Sequence, residues 1–285
     1  MDGERTGDPV VSVVVPAYRN GAFIERTMES ILAQTYPRLE VIVADHSSDD
    51  DTWERLQRFA ADPRVTLATT PASGGAPANW RRVTELATGE YLKLVCGDDV
   101  IRPELVARQV AALEANPGAV LSATKRDIVD AAGVPLITGR GLAGLRGTVP
   151  GRTAIRRTVT AGTNVLGEPA CVLFRTSAFR EAGGWDDRWP YLIDEASYAR
   201  VLLLGDLEAI DDSLAEFRVS AGQWSVALSR SQAAQAIGFH RAVRSAHPDI
   251  VSGADVAIGN ARARANAFGR RAVYALHAKR LRAAA

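Results

Sequence analysis

The chain of 285 residues is 47% apolar and 24% charged, with 34 Lys and Arg against 33 Asp and Glu, a formal net charge of +1. Apolar content at that level supports a large core and excludes a disordered chain, and the balanced charge argues against a dedicated nucleic-acid binder. No apolar run nears the roughly 18 residues of a membrane span, residues 1–9 are too polar for a secretory leader, and Cys96 and Cys171 alone build neither a disulfide framework nor a cysteine zinc site; a soluble, cytoplasmic globular protein is expected, flexible over 1–9.

Val11–Val15 is a valine-rich run bounded by Pro16 and predicts a first strand. Asn20 is placed to cap a helix carrying Phe23, Ile24, Met28, Ile31 and Leu32 at helical spacing. Glu40–Ala44 predicts a second strand, and Ser48–Thr52 a polar start for a helix bearing Trp53, Leu56 and Phe59. Val65–Ala68 is a third strand, and Pro77 suits the first position of a helix with Trp80, Val83 and Leu86 on its apolar face. A strand over Tyr91–Val95, a helix over Pro103–Ala115 and a strand over Ala119–Thr124 follow. Strands alternating with helices of ten to fifteen residues predict an α/β fold with a mostly parallel, Rossmann-like sheet flanked by helices. Ligands of such sheets bind at the carboxyl ends of the strands.

Residues 131–151 hold six glycines and predict a long surface loop. A helix near Thr153–Thr160, a strand over Cys171–Phe174 and a helix starting near Asp194 come next. Residues 226–285 read as helical throughout. They carry ten Lys and Arg against two acids, a net +8, which leaves 24 basic and 31 acidic residues, a net −7, on 1–225. A basic tail on an acidic body is expected to pack on that body with its arginines solvated; contact with a second copy or an anionic membrane surface are the alternatives.

Three acidic features stand at strand ends or helix starts. Asp45 closes the second strand, where a carboxylate can accept hydrogen bonds from a ribose or a base; the plainer alternative is a turn cap. Asp98 and Asp99 follow the fourth strand. Two adjacent carboxylates repel unless something positive lies between them, and Mg²⁺ or Mn²⁺ with oxygen ligands is one answer; a solvated turn is the other. Asp194 and Glu195 start a helix after the aromatic turn Gly183-Gly-Trp-Asp-Asp-Arg-Trp-Pro-Tyr. There they gain from the helix dipole or serve as a general base. Pro16-Ala-Tyr18 stands where a dehydrogenase or an NTPase would carry a glycine-rich phosphate loop, which disfavours both. The four histidines lack metal-site spacing, and no G-x-S-x-G elbow is present.

In order along the chain, Val11-Ser-Val-Val-Val-Pro16-Ala-Tyr-Arg-Asn20, Asp45-His-Ser-Ser-Asp, Gly89-Glu-Tyr with Gly-Asp98-Asp99 and Pro103, and Gly183-Gly-Trp-Asp with Asp194 resemble the family 2 glycosyltransferases. Gly167-Glu-Pro-Ala-Cys-Val-Leu-Phe-Arg175 and Phe217-Arg-Val-Ser-Ala-Gly-Gln-Trp-Ser225 are similar to late segments of that family. The resemblance covers about 10–225 and implies a GT-A domain there, followed by a basic helical extension over 226–285. It implies inverting transfer of a sugar from a nucleoside diphosphate, UDP- or dTDP-type, to a glycan, lipid-linked or small-molecule acceptor. By position, Pro16, Ala17 and Tyr18 match the first loop beneath the nucleotide, Asp45 the acid that contacts base and ribose, Asp98 the metal-binding last acid of D-x-D, and Asp194 the catalytic acid.

Three positions depart from the family pattern. Cys96 replaces the first acid of D-x-D, Ile193 stands where an acid precedes the catalytic one with Glu195 after it instead, and Ser220 stands where some members carry a metal-binding histidine. Either Asp98 and Asp99 then hold a divalent cation, Mg²⁺ or Mn²⁺, together with the donor's diphosphate and waters, or dependence on a metal is weak. Two competitors remain: a nucleotidyltransferase, which would need a glycine-rich basic loop after the first strand, and a nucleotide-sugar-binding module without chemistry.

Overall fold

The computed structural model describes residues 7–220, 223, 228–276 and 281. The expected flexible terminus falls mostly outside them, as do residues 221, 222, 224 and 225 of the Phe217–Ser225 segment and Lys279, Arg280 and Arg282 of the tail.

The chain runs β1 (Val11–Ala17), α1 (Ile24–Leu32), β2 (Leu39–Asp45), α2 (Thr52–Leu56), β3 (Val65–Thr69), α3 (Gly75–Glu85), β4 (Tyr91–Leu94), β5 (Val100–Ile101), α4 (Leu105–Ala115), β6 (Ala119–Val129), β7 (Pro135–Arg140), β8 (Gly147–Val149), α5 (Gly151–Ala161), β9 (Val172–Arg175), α6 (Thr176–Glu181), α7 (Ile193–Val201), β10 (Asp206–Arg218), α8 (Gln232–Ala246) and α9 (Gly253–Leu276). All ten strands join one sheet, ordered β3-β2-β1-β4-β9-β6-β10-β5, with β7 on β6 and β8 on β10.

Every residue of β1 is buried. A strand covered on both faces needs apolar side chains on both, which is why its valines run consecutively rather than alternate. β1 lies between β2 and β4, parallel to each. Pro16 falls beyond the last β4 pairing, Val14↔Leu94, so it interrupts no ladder there. Asn79 of α3 ties three strand ends together. Its Nδ2 donates to the Ala17 and Ala44 carbonyls at 3.2 and 3.0 Å, and its Oδ1 accepts from Thr70 Oγ1 at 2.7 Å.

Beyond β4 the sheet is mixed. β9 enters antiparallel between β4 and β6, while β10 runs parallel to β6 with register shifts at Ile210/Ser213 and Ser213/Ala215. The glycine-rich segment is more ordered than the expected loop, since β7 folds back on β6 and β8 pairs with β10. Pro77 is the third residue of α3, not its first.

The C-terminal extension forms two helices, α8 and α9, split at 247–252. They pack on each other, and α9 packs on α5. Gly259 makes that approach possible, since a Cβ there would lie 2.1 Å from the Val159 carbonyl oxygen. The ion pairs that join the extension to the body run against the overall charge balance. The tail's two acids, Asp249 and Asp255, pair with Arg152 and Arg156 of α5. Among the described residues no tail arginine makes an ion pair with a carboxylate of the body. Close packing at Gly259 and the Asp249 and Asp255 ion pairs hold the extension on α5.

Candidate active site

The loops after β1 and β2 meet at the carboxyl edge of the sheet, where Ala17 is in register with Asp45. Arg19 and Ser47 both take left-handed backbone, φ 51°, a conformation that costs a non-glycine residue on the order of 1 kcal/mol or more. Contacts between the loops offset it. The Arg19 guanidinium grips Asp49 with two bonds of 2.6 Å, Arg19 N–H donates to Ser48 Oγ, and Asn20 N–H donates to Thr52 Oγ1. Asp45 is 3% exposed. Its carboxylate accepts from Ser48 N–H at 3.0 Å and Ser48 Oγ at 2.6 Å, so the turn-capping role is realised. Tyr18 is 50% exposed, with its ring 5.7 Å from that of His46. Together these rings form an aromatic surface on which a flat base can stack.

The loop after β4 presses against the same region. A Cβ on Gly97 would come within 2.5 Å of Asn20 Oδ1, so glycine alone fits between Cys96 and Asp98. Asp98 Oδ2 accepts from Gln223 Nε2 at 2.8 Å, and its backbone carbonyl accepts from Arg218 Nε at 2.9 Å. Asp99 is wholly buried; one carboxylate oxygen accepts from Arg218 N–H at 3.1 Å and the other has no hydrogen-bond partner. Burial raises both carboxyls, and for Asp99 the charge of Asp98 adds to it. Arg218 works as a hub. Its Nη1 also donates to the Asp130 and Ala131 carbonyls, and its guanidinium lies 4.9 Å from the centre of the Phe23 ring.

These groups fit a divalent cation shared with a diphosphate. The unpartnered Asp99 oxygen and one oxygen of Asp98 are available, and Mg²⁺ is commonly held by one or two carboxylates plus substrate phosphates. They do not form a cage that holds an ion unaided: among the described residues no group of three His, Cys, Asp or Glu side chains does so. Cys96 is no substitute for the missing acid. Its thiol is held well above the ordinary range by burial and by Asp99, Asp98, Asp194 and Glu168 around it, and a neutral thiol is a poor ligand for a hard cation.

Cys96 is thus the junction between the Asp98 loop and the start of α7. Asp194 Oδ1 accepts from Glu195 N–H at 2.8 Å, as an acid in a first helical turn can, and Oδ2 accepts from Asn164 Nδ2 at 2.8 Å. Asn164 is itself fixed, since its Oδ1 accepts from Leu166 and Gly167 N–H and its Nδ2 donates to the Gly167 carbonyl. Burial pushes Asp194 up to about 7, against the pull of the Glu195 N–H. Glu195, 2% exposed, points both oxygens at no hydrogen-bond partner and is pushed up to about 8, by burial first and Asp194 second. It lines a small enclosed cavity with Asn164, Leu166, Tyr198 and Phe239. Next to Asp194, Glu168 pairs with the buried Arg126, Nε to Oε2 2.6 Å. Sequence reasoning named Asp194 and Glu195 but assigned no role to Asn164, Glu168, Arg126 and Gln223; Glu168 and Gln223 lie in the two late segments that resemble the family, which was the signal that could have found them.

A parallel β-α unit opening the chain, a mixed sheet beyond it and acids at successive strand ends have the form of a GT-A glycosyltransferase. Residues 12–183 match the family described as Glycosyl transferase family 2, and the chain belongs to that family. Glycosyltransferase GlyG of Streptococcus pneumoniae is 34% identical over 98 residues, which are 34% of this chain and 33% of GlyG. The chain therefore spans about a third of that curated relative. Two solved structures share the fold. TarS 1-349 of S. aureus in complex with UDP-GlcNAc has a TM-score of 0.66 at 18% identity, covering 83% of this chain and 66% of that one. Mannosyltransferase PcManGT from Pyrobaculum calidifontis in complex with GDP-Man and Mn²⁺ has a TM-score of 0.63 at 19% identity, covering 95% and 76%. Both neighbours are GT-A glycosyltransferases.

Proposed function

We propose that this protein transfers a sugar from a nucleoside diphosphate to an acceptor hydroxyl in a single inverting displacement. The observation that carries the proposal is Asp194, a carboxylate oriented by Asn164 and the Glu195 N–H and pushed up to about 7. A general base works best when its pKa lies near the operating pH. Asp194 Oδ takes the proton from the acceptor hydroxyl as that oxygen forms a bond to the anomeric carbon. The bond to the diphosphate oxygen breaks on the opposite face, and no covalent enzyme intermediate forms. Glu195, buried and facing the small cavity lined by Tyr198 and Phe239, serves as no second base.

Tyr18 and His46 provide the surface for the base, with Pro16 and Ala17 beneath it and Asp45 reaching the ribose; TarS with UDP-GlcNAc and PcManGT with GDP-Man support a nucleotide-sugar donor. Asp98, with Asp99 behind it, would hold Mg²⁺ or Mn²⁺, which supplies positive charge to the leaving diphosphate. Donor hydrolysis with purified protein, with and without Mn²⁺, tests the reading against a binding module without chemistry: release of nucleoside diphosphate that Asp194→Asn abolishes supports transfer, and tight binding of the intact donor without turnover overturns it.

A second reading concerns the extension. Ile258, Phe268 and Leu276 are exposed on α9, with Phe268 at 70% and Leu276 at 81%, and the neighbouring Arg262, Arg264 and Arg271 have no carboxylate partner among the described residues. Apolar and cationic side chains on one helix suit the surface of an anionic bilayer. Among the described residues no helix is long and apolar enough to cross a membrane.

A further inference from the structure

The start of α7 carries no side-chain cap of its own. Leu192 stands in the capping position and offers no acceptor to the first amides of the helix. Asp194 lies in that first turn, so whatever fixes the turn fixes the carboxylate. The chain leading into it closes on itself, Leu192 N–H donating to the Trp189 carbonyl at 2.7 Å. The closed turn is then fastened to the C-terminal extension. Tyr191 N–H donates to Gln235 Oε1 of α8 at 2.8 Å, and Gln235 Nε2 donates to Ser231 Oγ at 2.8 Å, which fixes its orientation. The Trp189 ring meets α8 at Gly238, where a Cβ would lie 2.3 Å from Cζ3. Arg270 of α9 lies 5.6 Å from the centre of the Tyr191 ring, within cation–π reach, and its Nε donates to Gln232 Oε1 of α8 at 2.7 Å.

The partner of Asp194 is held by the same helices. Asn164 follows α5, whose last carbonyls have no acceptor role left inside the helix. Asn266 of α9 meets that need, its Nδ2 donating to the Ala161 and Gly162 carbonyls at 3.2 and 3.1 Å. The backbones touch there: at φ 63°, a Cβ on Gly162 would come within 2.5 Å of Ala263 N and of the Gly259 carbonyl oxygen. Phe239 of α8, 4% exposed, reaches between the two turns and lines the cavity that Asn164 and Glu195 share.

Asn164 and Asp194 stand 30 residues apart and meet through one 2.8 Å hydrogen bond. The turn that carries each is anchored on α8 and α9. We propose that the extension is a working part of the active site: it holds these two turns in the relation that lets Asn164 orient Asp194, with Gln235 and Asn266 as positioning residues. This rests on the reading of Asp194 as base. Gln235 and Asn266 bond the backbone of the turns rather than Asp194 or Asn164 themselves, so their effect on the chemistry passes through the turns. A misplacement of about 1 Å can cost a reaction about 10²-fold.

Full-length Gln235→Leu and Asn266→Leu provide the test, with Gln235→Glu as the control that keeps the acceptor. Read by hydrogen exchange, Gln235→Leu should speed the Tyr191 amide, and Asn266→Leu the Leu166 and Gly167 amides that Asn164 holds, each at least tenfold; unchanged exchange overturns the inference. Turnover of UDP-GlcNAc or GDP-Man should fall at least tenfold in both variants while the UDP Kd stays the same, and Gln235→Glu should recover most of the loss. A UDP Kd that weakens in step with turnover marks a merely structural role and overturns it as well. In an Asn164→Ala background the two substitutions should add less than a twofold loss, since residues acting through one contact are not additive; losses that multiply in full count against the inference. Should a variant fail to fold, native-state exchange of the wild type in low urea decides: the three amides should open together with α8 and α9, and opening independent of those helices overturns the assignment. Asp194→Asn with normal turnover would sink the reading of Asp194 as base instead, and a wild type that turns over neither donor would count against the transferase reading. Exchange needs no donor and decides the inference in either case.

Discussion

Asp194→Asn should make the protein inactive and, at the same time, more stable. The folded protein holds Asp194 at about 7 against an ordinary 3.8, a gap of roughly three units. At about 1.4 kcal/mol per unit, charging it inside the fold costs on the order of 4 kcal/mol above pH 7. Asparagine removes that cost but meets Asn164 donor to donor, because Asn164 is locked in its orientation by Leu166 and Gly167. A lost buried hydrogen bond returns about 1–2 kcal/mol, so the net gain at pH 8 is on the order of 2 kcal/mol. The pH dependence follows from a raised carboxyl. Between 3.8 and about 7 the folded state keeps a proton that the unfolded state releases, so wild-type stability falls as pH rises through that window. At pH 4 the advantage of the variant should be gone. Urea denaturation of both proteins at pH 4 and pH 8, beside donor turnover that falls by at least about 10², measures all of this. An Asn variant with normal turnover, or one no more stable relative to wild type at pH 8 than at pH 4, refutes the reasoning.

Asp45→Ala should weaken binding of both UDP and its sugar, whereas Asp98→Ala should weaken chiefly the Mn²⁺-dependent part; calorimetry with and without the ion separates them, and unchanged affinities in both variants would misplace the nucleotide site. Cys96→Ser should keep most activity, and iodoacetamide should label native Cys96 slowly because the thiol stays protonated; a sugar adduct on Cys96 seen by intact mass during turnover would contradict this. Gly97→Ala should lower the melting temperature and loosen UDP binding, since its Cβ has no room beside Asn20, and a variant indistinguishable from wild type in both measurements would mean that the loops adjust freely. Flotation with anionic vesicles at low salt should carry the protein up, with loss of binding in 1 M salt, where the Debye length falls to about 3 Å; absence from anionic and neutral vesicles alike would turn the α9 face toward a dimer or a purely structural role.

The first half of the fold was legible because β1, β2 and β4 follow one rule: a buried parallel strand shows as a largely apolar run, and acids stand at or just after the ends of β2 and β4; β3, at the sheet edge, is only partly buried. Val11–Val15, Asp45 and Asp98 all obey it. β10 does not. Its register slips between Ile210 and Ser213, which breaks the alternation that marks a strand, and four of its first seven residues are acidic. β7 and β8 were hidden by glycines whose positive φ permits a hairpin the composition disguises. Asn164 gave no signal because orienting a carboxylate needs a polar atom at one place in space, with no fixed spacing in the chain, and Glu168 stood in a family-like segment that carried no assigned role. The balance of +8 and −7 said that the tail's arginines would be left to solvent, but not that its two acids would be the residues that pair with the body, since total charge says nothing about which partners a side chain meets.

Arg218 gives the domain an order of assembly. Its backbone N–H caps Asp99 from 119 residues away, and its side chain closes the Asp98 carbonyl from 120. Contacts this distant in sequence form late, because loop closure must precede any reward. On the ribosome the β1 to β4 unit emerges long before Arg218 does, with Asp99 still lacking its backbone donor. A nascent chain halted before β10 would hold the β1 to β4 half of the sheet around an uncapped carboxylate pair. Synthesis itself therefore delays the proposed donor site until β10 has arrived.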